Sequence, residues 1–227
     1  MTVTLSSKDL IWSITEPSDL NLPVMFTTPP LVLLIGASSS LSPEKNLVIS
    51  ITIAELALVI VLSARVQNMS VGAARGVFLG YALLNGMVLS YYFLAFDLGT
   101  LVLAFLATSL YFGLMAVYGT TTHKDLSGWG PKLMMALFAL IITGFVGVLF
   151  GMGFMGTVLY SGIGLVVFML LTAYDTQKLS QMYSYYAGDS ELAEKASIYG
   201  ALTLYLDFIN IFLYVVRLLG LNSRRRD

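Results

Sequence analysis

The sequence contains no cysteine and only one histidine among its 227 residues. Without thiols there are no disulfide bonds, zinc thiolates or thiol nucleophiles, and one histidine cannot supply a His-based metal site. A Gly-rich phosphate loop after a strand is also missing, because the one partial match, Gly151-Met-Gly153-Phe-Met-Gly156, lies between two hydrophobic runs. These absences predict that the protein is not an enzyme and carries no cofactor.

Charged residues are scarce as well. They make up 11% of the chain, whereas a soluble domain has about 25%. The formal net charge is −1 and no basic stripe occurs, so nucleic acid is not an expected partner. Apolar residues, in contrast, reach 57% and the mean hydropathy is +0.84. This composition predicts a polytopic membrane protein whose main partner is the lipid bilayer.

Long apolar runs define the predicted fold, since a spanning helix needs about 20 mostly apolar residues. Six runs meet this requirement, at about 47–64, 74–96, 98–119, 132–152, 155–174 and 198–220. A seventh run, 22–41, is interrupted by Pro29-Pro30, which a helix accommodates only with a kink. We therefore predict an all-α bundle of seven transmembrane helices with an irregular first helix.

This transmembrane domain, residues 22–221, is expected to lie between a polar tail, 1–21, and a basic tail, 222–227. The N-terminal tail lacks the apolar core of a secretory signal. Between the last two runs, residues 187–195 are predicted to form a solvated loop with a helical start, for which Ser190 is a possible N-cap.

Positive residues occur in alternate loops, near Arg65 and Arg75, then His123 to Lys132, then Lys178 to Lys195. The positive-inside rule makes these loops and the N-terminus cytoplasmic. A complete last span would then carry the basic stretch 224–226 to the outside, against the rule. A last helix that enters and returns without crossing is the alternative.

Three acids lie within or beside the apolar runs, where an ionisable group is by default a candidate functional residue. At about 1.5 Å of rise per residue, Glu55 and Asp207 are central in their runs, whereas Asp175 is at the cytoplasmic end, level with Arg65. An ion pair between Asp175 and Arg65 is therefore allowed. Contact between Asp175 and Asp207 requires Asp207 to lie nearer the cytoplasm, as a re-entrant last helix would place it.

The chemistry expected of these acids is proton sensing and calcium binding. Two neighbouring carboxylates rarely both ionise, so they share a proton and titrate together. Carboxylates are also hard oxygen ligands that suit Ca²⁺. Asn210, one turn after Asp207, adds a polar group to the same helix face. The alternatives are structural: a neutral, hydrogen-bonded Glu55 and an interfacial Asp175.

Three motifs resemble the Bax-inhibitor (transmembrane Bax inhibitor motif) family in its bacterial branch, over about residues 46–221. They are Thr172-Ala-Tyr-Asp175-Thr-Gln-Lys-Leu179, Leu204-Tyr-Leu-Asp207-Phe-Ile-Asn210 and Ala54-Glu55-Leu. The resemblance implies a seven-helix, pH-regulated calcium leak in the bacterial inner membrane. It also implies that Asp175 and Asp207 form the pH sensor, that Arg65 latches Asp175, and that Glu55 is a further acid of the ion path. The Pro29-Pro30 pair departs from the continuous first helix of the family.

The same resemblance implies a rival function of another class. Some bacterial members look like regulators that bind a membrane-bound ATP-dependent protease through a polar N-terminal tail. Residues 1–21 could serve as such a tail, and no ion transport would then be required.

Overall fold

The computed structural model describes residue 65 and residues 68–149, 158–186 and 188–223, which form five α-helices, one short 3-10 helix and no strand. The helices are α1 Val71–Ala95, α2 Leu98–Thr121, α3 Gly130–Leu149, α4 Val158–Tyr185 and α5 Ser190–Ser223, and the 3-10 turn is Ser127–Trp129. Among them, Leu98–Thr121, Val158–Tyr185 and Ser190–Gly220 are long and apolar enough to cross a membrane. The all-helical membrane fold is therefore confirmed. The count of seven helices stays a prediction, because the runs 22–41 and 47–64 lie outside the described residues. The polar tail 1–21 and residues 224–227 of the basic tail 222–227 lie outside them as well, whereas residues 222 and 223 are the last residues of α5.

Short connections join the first helices. The hydroxyl of Ser70 accepts a hydrogen bond from the backbone N–H of Ala73 and so caps the start of α1. Only Phe96 and Asp97 separate α1 from α2. The Asp97 carboxylate caps α2 by accepting from the Thr100 N–H at 2.9 Å. The chain therefore reverses between α1 and α2 within two residues, and both helices pack against α5.

The helices α4 and α5 are longer than their apolar runs predict. Instead of ending near 174, α4 continues to Tyr185, and α5 begins at Ser190 rather than near 198. Helix formers follow the run of α4 and precede that of α5, and the helices still pack on each other at Leu179 and Gly200, so the helical backbone continues where hydropathy falls. The predicted loop 187–195 is therefore mostly helix.

The cap of α5 also differs from the prediction. Asp189, not Ser190, accepts the hydrogen bonds of the first turn, from the N–H groups of Glu191 at 3.0 Å and Leu192 at 3.1 Å. A carboxylate in this place also has the favourable charge for a helix N-terminus.

The centre of the bundle is α5, which packs against α4, α2 and α1. From Leu202 onward its buried residues point in every direction around the helix axis: Leu202, Thr203, Leu206, Asp207, Ile209, Asn210, Ile211, Leu213, Tyr214, Val215 and Val216. A helix that is apolar all round is buried by other helices rather than lying at the surface. It is also continuous to Ser223, so it does not turn back within this part of the chain.

Most positive residues of the described helices and loops collect at one end of the bundle, which we call the charged end: Arg75, Lys124, Lys132, Lys178 and Lys195. Arg217 of α5 is at the other end, over the ring of Tyr214. Contacts between elements tie the charged end together. Arg75 at the start of α1 forms an ion pair with Glu194 at the start of α5. The Gln177 side chain of α4 donates to the backbone carbonyl of Lys124 at 2.9 Å. The grouping agrees with the alternate-loop pattern of the sequence.

Candidate functional site

Close packing sets the register of α4 against α5. A Cβ added to Gly164 would overlap the ring of Tyr214, and one added to Gly200 would lie 3.1 Å from Leu179 Cδ2. Small residues at helix interfaces allow such close approach in membranes. Because the two helices are antiparallel, these two contacts leave the turn around Thr172 opposite the turn around Asp207.

The two aspartates of the motifs meet in this interface. Asp207 is 0% exposed and Asp175 is 1% exposed. Asp175 and Thr172 are the polar neighbours of the Asp207 carboxyl group. The geometric prediction that contact requires a re-entrant last helix is therefore wrong, because α5 reaches Asp175 as one continuous helix. The expected pairing of the acids is present without it.

The Asp207 carboxyl group lies beside the Thr172 and Asp175 side chains without a well-formed hydrogen bond to either. The Thr172 hydroxyl, although adjacent, donates to the carbonyl oxygen of Phe168 at 2.8 Å. Neither carboxylate oxygen of Asp207 has a hydrogen-bond partner among the described residues. A buried acceptor without a donor costs about 1–3 kcal/mol. The site therefore favours a proton or a cation at this position.

Asn210 adds a further oxygen in the same helix. Its Nδ2 donates to the carbonyl oxygen of Leu206 at 2.8 Å, which fixes the side-chain amide. Its Oδ1 has no partner among the residues that the structure describes, and the residue is 1% exposed. Carboxylate and amide oxygens are the ligand types that Ca²⁺ takes in proteins.

The carboxyl pair lies near the middle of both helices. Thr172 is fourteen residues from Val158 and thirteen from Tyr185 in α4, and Asp207 is seventeen residues from Ser190 and sixteen from Ser223 in α5. Asp207 is therefore central in its helix, as the sequence predicts, and its depth in the bilayer stays a prediction.

Among the residues that the structure describes, the predicted latch is not seen at this pair. Arg65 is exposed, and no ion pair joins it to Asp175 within the described part of the chain. Glu55 lies outside the described residues. Within them, no group of three or more His, Cys, Asp or Glu side chains is placed to hold a metal ion. A calcium site made of Asp175, Asp207 and Glu55, and a latch at Arg65, remain predictions.

A second buried polar cluster joins α1 to α5, and it was not singled out as a site from the sequence. The Tyr205 hydroxyl donates to Oδ1 of Asn85 at 3.2 Å, and Nδ2 of Asn85 donates to the hydroxyl oxygen of Tyr81 at 3.0 Å. Asn85 is fully buried. The signal was available, since an asparagine inside an apolar run must find a partner and Tyr81 is four residues earlier.

These features define a helical integral membrane protein with a buried carboxyl pair in its central helix interface. A family model described as "Inhibitor of apoptosis-promoting Bax1" matches residues 21–224. The chain is 45% identical to the inner membrane protein YbhL of Escherichia coli K12 over 174 residues, which are 76% of this chain and 74% of YbhL. It is also 39% identical to uncharacterized proteins of Borreliella burgdorferi, over 76% of this chain and 73% of that protein, and of Deinococcus radiodurans, over 76% and 74%.

The chain belongs to the Bax inhibitor family, as the motifs of the sequence indicated.

Proposed function

We propose that this protein is a pH-sensitive calcium leak channel of the bacterial inner membrane, gated by Asp175 and Asp207. The observation that carries the proposal is their meeting in the α4–α5 interface, at 1% and 0% exposure. Ionisable groups at such depth are expensive and mark ion or proton pathways.

The pair provides a physical means of gating. Two facing carboxylates in a poorly hydrated interface repel each other, and a shared proton removes this repulsion. Proton uptake or release therefore changes the force between α4 and α5. Because α4 and α5 are closely packed at Gly164 and Gly200, they are expected to move as rigid bodies rather than to bend gradually. A change of charge at one site is thereby converted into a movement of helices.

Asp207 and Asn210 suit the passage of a hard cation. Both Asp207 oxygens and Asn210 Oδ1 are acceptors without partners among the described residues. Ca²⁺ prefers oxygen ligands of these kinds. In the proposal, Glu55 adds a carboxylate to the ion path, and Arg65 latches ionised Asp175 in the closed state.

The test is calcium flux into liposomes that contain only the purified protein and an enclosed calcium indicator, measured at several pH values. We expect flux that rises as the pH on the cytoplasmic side falls, because protonation of Asp175 releases the Arg65 latch and this outweighs the loss of repulsion between the acids. We also expect Asp207→Asn to remove the pH dependence because an amide cannot titrate. Asp189→Asn is the matched control, because it neutralises an exposed aspartate at the hairpin turn while keeping a good N-cap.

Liposomes without calcium flux at any pH would refute the leak. A silent protein that co-purifies with a membrane-bound ATP-dependent protease would instead establish the regulator function. Flux with a pH dependence that Asp207→Asn leaves unchanged would refute the sensor assignment alone.

A further inference from the structure

Gln177 bridges α4 to the connection between α2 and α3. Its Oε1 accepts a hydrogen bond from the N–H of Leu126 at 2.8 Å, and its Nε2 donates to the carbonyl oxygen of Lys124 at 2.9 Å. A flipped amide would set donor against donor and acceptor against acceptor, so the two partners fix its orientation. We refer to residues 122–129 as the brace.

The brace is itself well ordered by local bonds. Asp125 accepts from the N–H and the hydroxyl of Ser127, each at 2.8 Å. Those two bonds hold the pKa of Asp125 below its ordinary value. The N–H of Trp129 donates to the carbonyl oxygen of Leu126 at 2.8 Å, and Leu126 is buried. Gln177 therefore connects α4 to a preformed turn and not to a loose loop.

The helices on both sides of the brace, α2 and α3, pack closely against the same turn of α4. A Cβ at Gly119, near the end of α2, would overlap the carbonyl group of Ala173. A Cβ at Gly130, the first residue of α3, would lie 2.6 Å from the hydroxyl oxygen of Tyr174. Together with Gln177, these contacts hold α4 from 173 to 177, the turn that contains Asp175.

Gln177 and Asp175 face opposite sides of that turn. At 3.6 residues per turn, two residues are about 200° apart around the helix. Asp175 faces Asp207 in α5, whereas Gln177 faces the brace. Fixing Gln177 therefore fixes the rotation and the height at which α4 presents Asp175 to α5.

We propose that Gln177 is a positioning residue of the gate: its two hydrogen bonds to the brace hold the Asp175 turn of α4 against α5 in the closed state. This inference rests on the proposed function. The titratable and charged groups on the elements around this turn are Asp207 in α5, His123, Lys124 and Asp125 in the brace, Lys132 in α3 and Lys178 in α4.

The test compares Gln177→Met, which keeps the length of the side chain and removes both hydrogen bonds, with Gln181→Met, the same change one turn later at an exposed position. Because both hydrogen bonds to the brace are lost, closed-state leakage at alkaline pH should rise about tenfold. We also expect the flux of Gln177→Met to reach its half-maximum at a higher pH. Gln181→Met should match the parent in both measurements.

Hydrogen–deuterium exchange on the same proteins provides a second measurement that does not depend on flux. We expect Gln177→Met to exchange faster both in the brace and in the site segments 172–178 and 203–210. An unchanged pH profile, or faster exchange in the brace alone, would overturn the inference, because Gln177 would then hold only the loop. If the parent protein shows no flux, the proposed function fails, and exchange in the site segments still decides whether Gln177 positions the pair.

Discussion

The contact between Gly119 and α4 allows a quantitative test of the packing that holds the site. A methyl group at Gly119 would overlap the carbonyl oxygen of Ala173 and would lie 3.1 Å from its carbonyl carbon and from its Cα. These are backbone atoms, so no rotamer change can relieve the overlap. In Gly119→Ala, α2 and α4 must move apart at the turn that precedes Asp175.

Gly113→Ala provides the matched control in the same helix, because nothing lies within 4 Å of the added Cβ. Both substitutions gain the same helix propensity, about 1 kcal/mol, so this contribution cancels in the comparison. What remains is the cost of overpacking, about 1–3 kcal/mol. At about 2–4 °C per kcal/mol for a chain of this size, we expect the Tm of Gly119→Ala to lie about 2–12 °C below that of Gly113→Ala.

The assay is thermal unfolding in detergent, followed by circular dichroism at 222 nm, with both variants purified in parallel. A Tm of Gly119→Ala equal to or above that of Gly113→Ala would refute the close contact between α2 and α4. The flux assay extends the test: if this contact supports the closed gate, Gly119→Ala should also leak more at alkaline pH than Gly113→Ala.

Three further predictions concern charged residues. Arg65→Ala should leak more than the parent at alkaline pH, because ionised Asp175 loses its latch. Arg65→Lys should retain part of the closure, because lysine keeps the positive charge but lacks the guanidinium fork. Equal flux of Arg65→Ala and the parent at alkaline pH would show that Arg65 is only a membrane anchor. Glu55→Gln should lower calcium flux without moving the pH midpoint, and a moved midpoint with normal flux would place Glu55 in the sensor. Hydrogen bonds from the hydroxyl and the N–H of Thr100 hold the pKa of Asp97 below its ordinary value. Ionised Asp97 therefore stabilises the folded state above about pH 4, and this stabilisation is lost as the pH falls through the lowered pKa. In thermal unfolding between pH 3 and 7, Asp97→Asn should therefore be less stable than the parent near pH 7 and approach it at pH 3, whereas a constant difference in Tm would contradict this explanation.

The amino-acid sequence by itself determined the membrane class and the helical fold. A spanning helix is recognised from the length of an apolar run, which is a local property. The runs 74–96 and 98–119 accordingly end within about three residues of the observed α1 and α2. Asp207 could also be singled out in this way, because a carboxylate inside such a run is conspicuous wherever the helix packs.

Helix ends beyond the apolar runs could not be determined in the same way. The extension of α4 to Tyr185 and the early start of α5 at Ser190 depend on packing between the two helices. Ser190 and Asp189 are both suitable N-caps. Which of them acts as the cap depends on where the backbone leaves the helical conformation, and that is set by the tight turn between α4 and α5.

The meeting of Asp175 and Asp207 was decided by tertiary structure alone. Their relative height depends on the register of two antiparallel helices, and this register follows from the fit of Gly164 against Tyr214 and of Gly200 against Leu179, contacts between residues distant in sequence. Residue counting along each helix separately placed them at different depths. The hydrogen bonds of Gln177 to the brace are likewise non-local. An exposed glutamine and a bridging glutamine look the same in the local sequence, and only the fold brings residues 124–126 within reach of Gln177.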